Sequence, residues 1–439
     1  MERWDRFGCD GLNAMDDITR LTASELLTLY RNRQIAPSDV VAALLARIGA
    51  RDPVVRAWQH IDGDHALAQA AALIPGPDSP LYGVPIGFKD IVDTADLPTT
   101  YGSPIYASHR PVKDAVCVSL SRAAGGIVLG KTVTTEFAGR NPGKTAHPLD
   151  PARTPGGSSS GSAAAVADGQ VFLAIGSQTA GSTIRPAAYC GVYALKPSHG
   201  AISFSGMKHL SPRLDAIGLM GRSIADLALF RAALLGVSPV PYVPVSGPLC
   251  VGLCRTPYWS RASADVQAAI EQAATRLAAS GIEIRQVTYP DAFGDAEELC
   301  WEVINFEAAR ELAWEYAQRE HSLSPWARAA IENGRGISLD RHANNLQRLA
   351  TAEQAFDTLF ATVDVLIAPA AGEEAPMGLA DTGSPIFNLA FQIAGLPAVS
   401  LPFRSGSAGL PIGLQLIGSR YRDRQLLDIA ATIEQRLVS

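Results

Sequence analysis

No run of about 18 or more uncharged apolar residues occurs in the sequence, so no segment is expected to span a bilayer. Cysteine is sparse. Six residues scattered along 439 positions do not make the disulfide framework of a small secreted scaffold. Cys250 and Cys254 stand close in sequence but lack the CxxC spacing or histidine partners of a zinc site. An excess of positive charge is also missing: the net charge is −6 and the isoelectric point is near 5.8. Neither nucleic acid nor an anionic membrane is therefore an expected partner. The opening Met1-Glu2-Arg3-Trp4-Asp5-Arg6 lacks the apolar core of a secretory signal. Long polar linkers are absent, as are repeats with a period of about 20 to 50 residues. Gly-Leu-Pro occurs at Gly395 and again at Gly409, as two turns leading into strands. The expectation is a cytoplasmic enzyme with reduced thiols.

What is present fits a packed α/β chain. Hydrophobic residues make up 47% and charged residues 18%, which argues against disorder. Thr22-Ala23-Ser24-Glu25 has the pattern of a capping box before Leu26, Leu27, Leu29 and Tyr30. Pro37-Ser38-Asp39 opens a second helix, with Val40, Val41, Leu44, Leu45 and Ile48 at helical spacing. The first 75 or so residues thus read as helices, closed by the turn cluster Pro75-Gly76-Pro77-Asp78. Val84–Phe88 reads as a short buried strand, Val118–Ala124 as a helix and Ile127–Leu129 as a strand. Ser263 can cap a helix carrying Val266, Ile270, Ala274 and Leu277 that stops at Gly281, with a strand at Ile282–Ile284. Alternating strands and helices predict an α/β sandwich with a mostly buried sheet. Length alone suggests about three domains of ~150 residues, but with no linker to separate them one large domain is expected.

Three familiar patterns match and are rejected on physical grounds. GGIVLGKT, Gly125 to Thr132, satisfies the phosphate-loop pattern, yet Ile-Val-Leu occupies the would-be loop. β-Branched residues resist the positive φ angles that a phosphate nest wants. Gly157-Ser158-Ser159-Ser160-Gly161 satisfies the nucleophile-elbow pattern, but Ala152-Arg153-Thr154-Pro155-Gly156 upstream is no apolar strand. Ser205-Gly206-Met207-Lys208 satisfies S-x-x-K without a Lys-Thr-Gly companion.

The informative stretch is Thr154–Pro197, where two loops of small residues are tied to apolar elements. Gly156-Gly157-Ser158-Ser159-Ser160-Gly161 feeds the helix-like Ala163–Ala167. Gly176-Ser177-Gln178-Thr179-Ala180-Gly181-Ser182 follows the apolar run Val171–Ile175. Loops after buried strands are where α/β folds hold ligands. Small neighbours let backbone N–H groups approach a substrate carbonyl, which favours an oxyanion hole and acyl-transfer chemistry over a serine-rich surface loop.

This stretch resembles the signature of the amidase signature family. Further blocks extend the likeness: GVPIGFKD (Gly83–Asp90), GKTVTTEFA (Gly130–Ala138), LDAIGLMGRSIAD (Leu214–Asp226) and GLPIGLQLIG (Gly409–Gly418). The resemblance runs from roughly Leu21 to the C-terminus, and GSQTAGSTIRPAAYCG with NFEAARELAWEY looks most similar to malonamidase-like members. It implies one domain over 1–439 with a central mixed β-sheet covered by helices on both faces. A helical N-terminal segment (1–75), a catalytic core (83–226) and a C-terminal part completing sheet and pocket (227–439) are implied within it.

For the site, the resemblance implies Ser182 as nucleophile, Ser158 as bridging serine behind a cis Gly157–Ser158 peptide, and Lys89 as base. Desolvation of Lys89 would leave a neutral amine able to take a proton. Backbone N–H groups of Thr179, Ala180, Gly181 and Ser182 match the oxyanion hole. Many relatives carry Asp-x-Gly-Gly-Ser there; Gln178 and Ala180 depart from that pattern, and Ala180 would reshape a loop needing positive φ. Arg185 either grips a substrate carboxylate or forms an internal ion pair holding the loop. Packing accounts for Tyr189, Cys190 and Lys196, and His199 and His209 read as surface residues. The windows Trp301–Glu307 and Asp381–Asn388 are expected to line part of the pocket.

The resemblance implies an amide hydrolase acting on a small molecule, with neither cofactor nor metal, and it admits a homodimer. The same triad serves the amidase component of a tRNA-dependent amidotransferase, and carbamate or ester cleavage uses the same acyl-enzyme route. A purely binding role is disfavoured because Lys89, Ser158 and Ser182 are all present.

Overall fold

A computed structural model describes residues 18–73, 79–290 and 294–438. The Met1–Arg6 opening and the Pro75–Asp78 turn cluster lie outside the described residues. Eleven strands form a single sheet: β1 (Trp58–Ile61), β2 (Pro85–Lys89), β3 (Ile127–Thr132), β4 (Leu173–Gln178), β5 (Tyr193–Lys196), β6 (Ala216–Gly221), β7 (Cys250–Leu253), β8 (Glu283–Gln286), β9 (Val365–Pro369), β10 (Ala398–Ser405) and β11 (Pro411–Ile417). Their spatial order is β1-β3-β2-β4-β6-β5-β10-β11-β9-β7-β8. β3, β2 and β4 run parallel, as do β9, β7 and β8, while the other neighbours pair antiparallel. The chain is thus a single α/β domain with a mixed sheet.

Burial explains why strands form where they do. β2, β3, β4, β6, β9 and β11 are buried at every position, as strands covered on both faces must be. The edges differ: β8 is mostly exposed and carries Glu283, Arg285 and Gln286, a charged rim that discourages pairing with another chain. Two groups of helices flank the sheet. Ser160–Ala167 and Ile184–Cys190 touch each other and the middle strands. Ile224–Leu234, Asp423–Val438 and Ala264–Ala279 form a second contacting group, against β5, β6, β8, β9 and β10.

Local chemistry sets the helix ends. The Thr22 side chain accepts the Glu25 N–H at 3.1 Å while the Glu25 carboxylate accepts the Thr22 N–H at 2.8 Å, closing the expected capping box on Ala23–Arg31. Pro37 opens Pro37–Val55, and Ser263 caps Ala264–Ala279. The expectation of an all-helical first 75 residues needs one amendment, because β1 lies between Pro37–Val55 and Gly63–Ala72. Its four residues have one buried side chain, Trp58, whose indole donates to Gln170 at 2.7 Å. So short a strand is defined by its partner β3 rather than by its own pattern.

The rejected motifs fold accordingly. GGIVLGKT leads into β3, and Lys131 within it is fully buried, 3.7 Å from Asp90 and 2.7 Å from Thr99 Oγ1. Lys208 of the S-x-x-K match pairs with buried Glu315 at 2.6 Å. No helix among the described residues is long and apolar enough to cross a membrane.

Candidate active site

β2 and β4 are parallel neighbours, so their C-terminal ends lie side by side. β2 ends in Lys89, and β4 ends in Ser177 and Gln178. The ends of parallel strands are where this class of sheet opens to ligands. The serine loop reaches the same place because Ser159 is stitched onto β4: its Oγ donates to the Ser177 carbonyl at 3.2 Å and accepts the Ser177 N–H at 3.1 Å. Just beyond, the helix Ser160–Ala167 starts hard against the neighbouring backbone. A Cβ at Gly161 would sit 2.2 Å from the Ala57 carbonyl oxygen and 2.4 Å from the Val133 nitrogen, so only glycine fits.

Lys89 is completely buried, with Nζ 2.6 Å from Ser158 Oγ and 2.8 Å from Ser177 Oγ. Burial pushes its pKa well below the ordinary lysine value; the negative charge of Asp215 opposes that shift and the positive charge of Arg185 adds to it. The Gly157–Ser158 peptide is cis. Ser158 stands directly on the lysine, and the adjacent Ser159 N–H donates to the Ser182 carbonyl at 3.3 Å, joining the two serine loops.

The loop carrying Ser182 is shaped by Gln178. Its Oε1 accepts the N–H groups of Thr183 and Ile184 at 2.9 and 3.0 Å, capping the helix Ile184–Cys190. Its Nε2 donates to Gln392 at 3.0 Å, so a neutral amide does here what a carboxylate would do as a helix cap. Ala180 does not take a positive φ, so the alanine carries no left-handed strain in this loop. Gly181 is required for space instead: a Cβ there would meet Asn388 Oδ1 at 2.4 Å. Among the described residues, the N–H groups of Ala180, Gly181 and Ser182 are committed to no other acceptor.

Thr179, Ala180 and Ser182 line a narrow pocket of about 20 Å³. Leu210, Trp301, Ile304 and Trp326 supply its apolar wall, and two cations, Arg140 and Arg185, its charge. Arg185 is 4% exposed. Its Nη2 donates to the Gly157 carbonyl at 2.6 Å and to Thr382 Oγ1 at 3.2 Å, while its buried Nε has no partner among the described residues. Neither acceptor is charged, so the internal ion pair weighed from the sequence is not what holds it. Burial lowers its pKa to about 10. Arg140 is part-exposed, 3.5 Å from Asp381 and stacked over Trp301 at 5.9 Å.

Several of these residues escape sequence reasoning. Ser177 sits inside a strand, and Arg140 and Trp326 come from segments without a local motif. The two expected windows do contribute, through Trp301 and Ile304 and through Thr382 and Pro385. Cys190 and Tyr189 are packed as expected, with Cys190 Sγ donating to the Pro155 carbonyl at 3.5 Å. Lys196 is more than packing, being a fully buried amine with no hydrogen-bond partner among the described residues. His199 and His209 are half-buried rather than surface residues; each bonds to a neighbouring turn, at Pro212 and Asp215.

A sequence model of the amidase family matches residues 39–427. A glutamyl-tRNA(Gln) amidotransferase subunit of Koribacter versatilis (strain Ellin345) is 30% identical over 480 aligned residues, covering 96% of this chain and 100% of the relative. A crystal structure of an amidase superposes with a TM-score of 0.87 at 26% identity, covering 95% of this chain and 100% of that one. A 6-aminohexanoate cyclic dimer hydrolase complexed with substrate gives a TM-score of 0.85 at 26% identity, covering 96% and 98%.

Proposed function

The chain belongs to the amidase family, and we propose that it hydrolyses a small amide whose acyl group carries a carboxylate, through an acyl-enzyme on Ser182. The observation that carries the chemistry is Lys89, desolvated and 2.6 Å from Ser158 Oγ. A neutral amine there can donate to Ser177 and accept the Ser158 proton. Ser158 then takes the proton of Ser182 as its Oγ attacks the amide carbonyl. The N–H groups of Thr179 to Ser182 receive the developing oxyanion. The proton returns along the same path to the departing amine, and water then cleaves the acyl-Ser182 ester.

Arg185 supports the carboxylate preference. A guanidinium buried without an acid partner is costly, and an anionic substrate in the same pocket would offset that cost. Gln178 adds no negative charge beside it. Arg140, also in the pocket lining, has the same sign.

A second reading follows from the name of the Koribacter relative: the amidase component of an amidotransferase. Ser182 would then release ammonia from glutamine for a partner that acts on a charged tRNA, and the expectation of no nucleic-acid link would be given up. The alignment with that relative runs over 480 residues, more than the 439 here, so the relative carries segments this chain lacks. The discriminating experiment measures ammonia release by the purified chain alone from short dicarboxylic monoamides, neutral amides and glutamine, with carbamates and esters for comparison. Turnover led by the carboxylate-bearing monoamides is expected. No turnover of any of them by the chain alone would favour the amidotransferase reading.

A further inference from the structure

A buried acid that the acyl-transfer scheme does not use lies against the loop of N–H groups. Asp215, 2% exposed, accepts the Thr179 hydroxyl on Oδ1 at 2.6 Å. Its Oδ2 accepts the N–H groups of Leu210 and Ser211 at 3.0 and 3.2 Å and lies 3.4 Å from His209 Nδ1. Among the described residues no lysine or arginine forms an ion pair with it; His209 does, and the bond to Asp215 raises the histidine's pKa.

The placement follows from sheet register. β6 begins at Ala216, which pairs with Gln178 at the end of β4, so Asp215 and Thr179 step off adjacent strands together. Thr179 is the first residue of the nucleophile loop, and the three N–H groups after it have no other acceptor among the described residues. A short, charge-assisted bond to a β-branched side chain fixes its rotamer and holds the backbone there. The charged groups that act on Lys89 are Asp215 and Arg185, with the hydroxyls of Ser158 and Ser177 in contact. Asp90, next in sequence, is engaged elsewhere, by Lys131 and Thr100.

We propose that Asp215 is a positioning residue: through Thr179 it holds the oxyanion loop, and its carboxylate balances the positive charge that Lys89 acquires when it takes the proton. This rests on the acyl-Ser182 reading of the site.

The test compares the parent with Asp215→Asn, Thr179→Val, Thr179→Ser and Ser182→Ala. It records kcat and KM for the best amide substrate across neutral and alkaline pH, melting temperature, and acyl adduct formation from an activated ester. Asp215→Asn is expected to lower kcat about tenfold to hundredfold, less than or equal to the loss of one oxyanion donor, with KM within about threefold. It should also move the rising limb of the pH profile to lower pH, because the ammonium form of Lys89 has lost the negative charge that acts on it. Thr179→Val should lower kcat without moving the limb, and Thr179→Ser should restore it. An Asp215→Asn enzyme with parental kcat and limb, or one whose kcat falls only with its melting temperature while the limb stays put, overturns the assignment. No adduct on the parent, or one that persists in Ser182→Ala, instead overturns the acyl-enzyme reading.

Discussion

Replacing Arg185 with alanine separates the two things this side chain can do. It removes a guanidinium that braces the Gly157 carbonyl and Thr382 Oγ1, and it removes the pocket's buried positive charge. Loss of the brace leaves a buried carbonyl short of a donor, a cost of about 1–3 kcal/mol that loosens the Ser158 loop for every substrate alike. Loss of the charge affects only substrates that carry a carboxylate, by about 2–4 kcal/mol for a truncated buried charge pair. In kcat/KM that is a selective fall of roughly 30-fold to 1000-fold. Arg185→Lys keeps a charge but not the planar fork that reaches Gly157 and a substrate together, so it should lose most of the preference too. The assay is kcat/KM for a malonamate-like monoamide over that for a neutral amide of the same length, in parent and both variants, with melting temperatures alongside. If the ratio is unchanged while both rates and the melting temperature fall, Arg185 is a brace alone and the anionic specificity is wrong.

Activity should rise with pH through an apparent pKa well below the ~10.4 of a free lysine, since Lys89 must be neutral to accept a proton; a rate highest in acid, with the fold intact, would contradict a lysine base. Lys196, unpartnered among the described residues and pushed down to about 7 mainly by burial, binds a proton more weakly folded than unfolded, so its penalty is present below pH 7 and relieved as pH rises toward the unfolded value. Lys196→Met should abolish that gain, on the order of 4 kcal/mol, and be the more stable protein at neutral pH in denaturant titrations; a parent with flat stability over this range would refute the assignment. Gly161→Ala should cost about 3 kcal/mol or more and impair turnover, because its Cβ meets backbone rather than a movable side chain. Melting and activity equal to the parent's would show that the backbone there yields.

The strands of the centre are legible in the sequence because they are buried on both faces and read as apolar runs, as in β2 and β4. β1 is not, since only Trp58 of its four residues is buried and its existence depends on β3. The stiffness of Ile127, Val128 and Leu129, which argues against a phosphate loop, is what makes them part of β3. Within the site, Lys89, Ser158 and Ser182 stand out through contiguous motifs. Their companions do not, because what makes Ser177, Asp215 and Arg140 matter is which strand end or wall they share, and register is not written in a single segment. His209 illustrates the same limit: a histidine in a polar stretch reads as surface until the turn it closes places it against Asp215. Burial without a partner among the described residues, as at Arg185 Nε and Lys196, is likewise a property of the packed fold alone.

The most direct measurement is intact-protein mass spectrometry of the parent and Ser182→Ala after mixing with a slowly hydrolysed ester or amide. The account predicts an increase equal to the acyl group on the parent, mapped by peptide digestion to Ser182, and none on the variant. An adduct of the same mass on Ser182→Ala, or one mapped to any other residue, would contradict it.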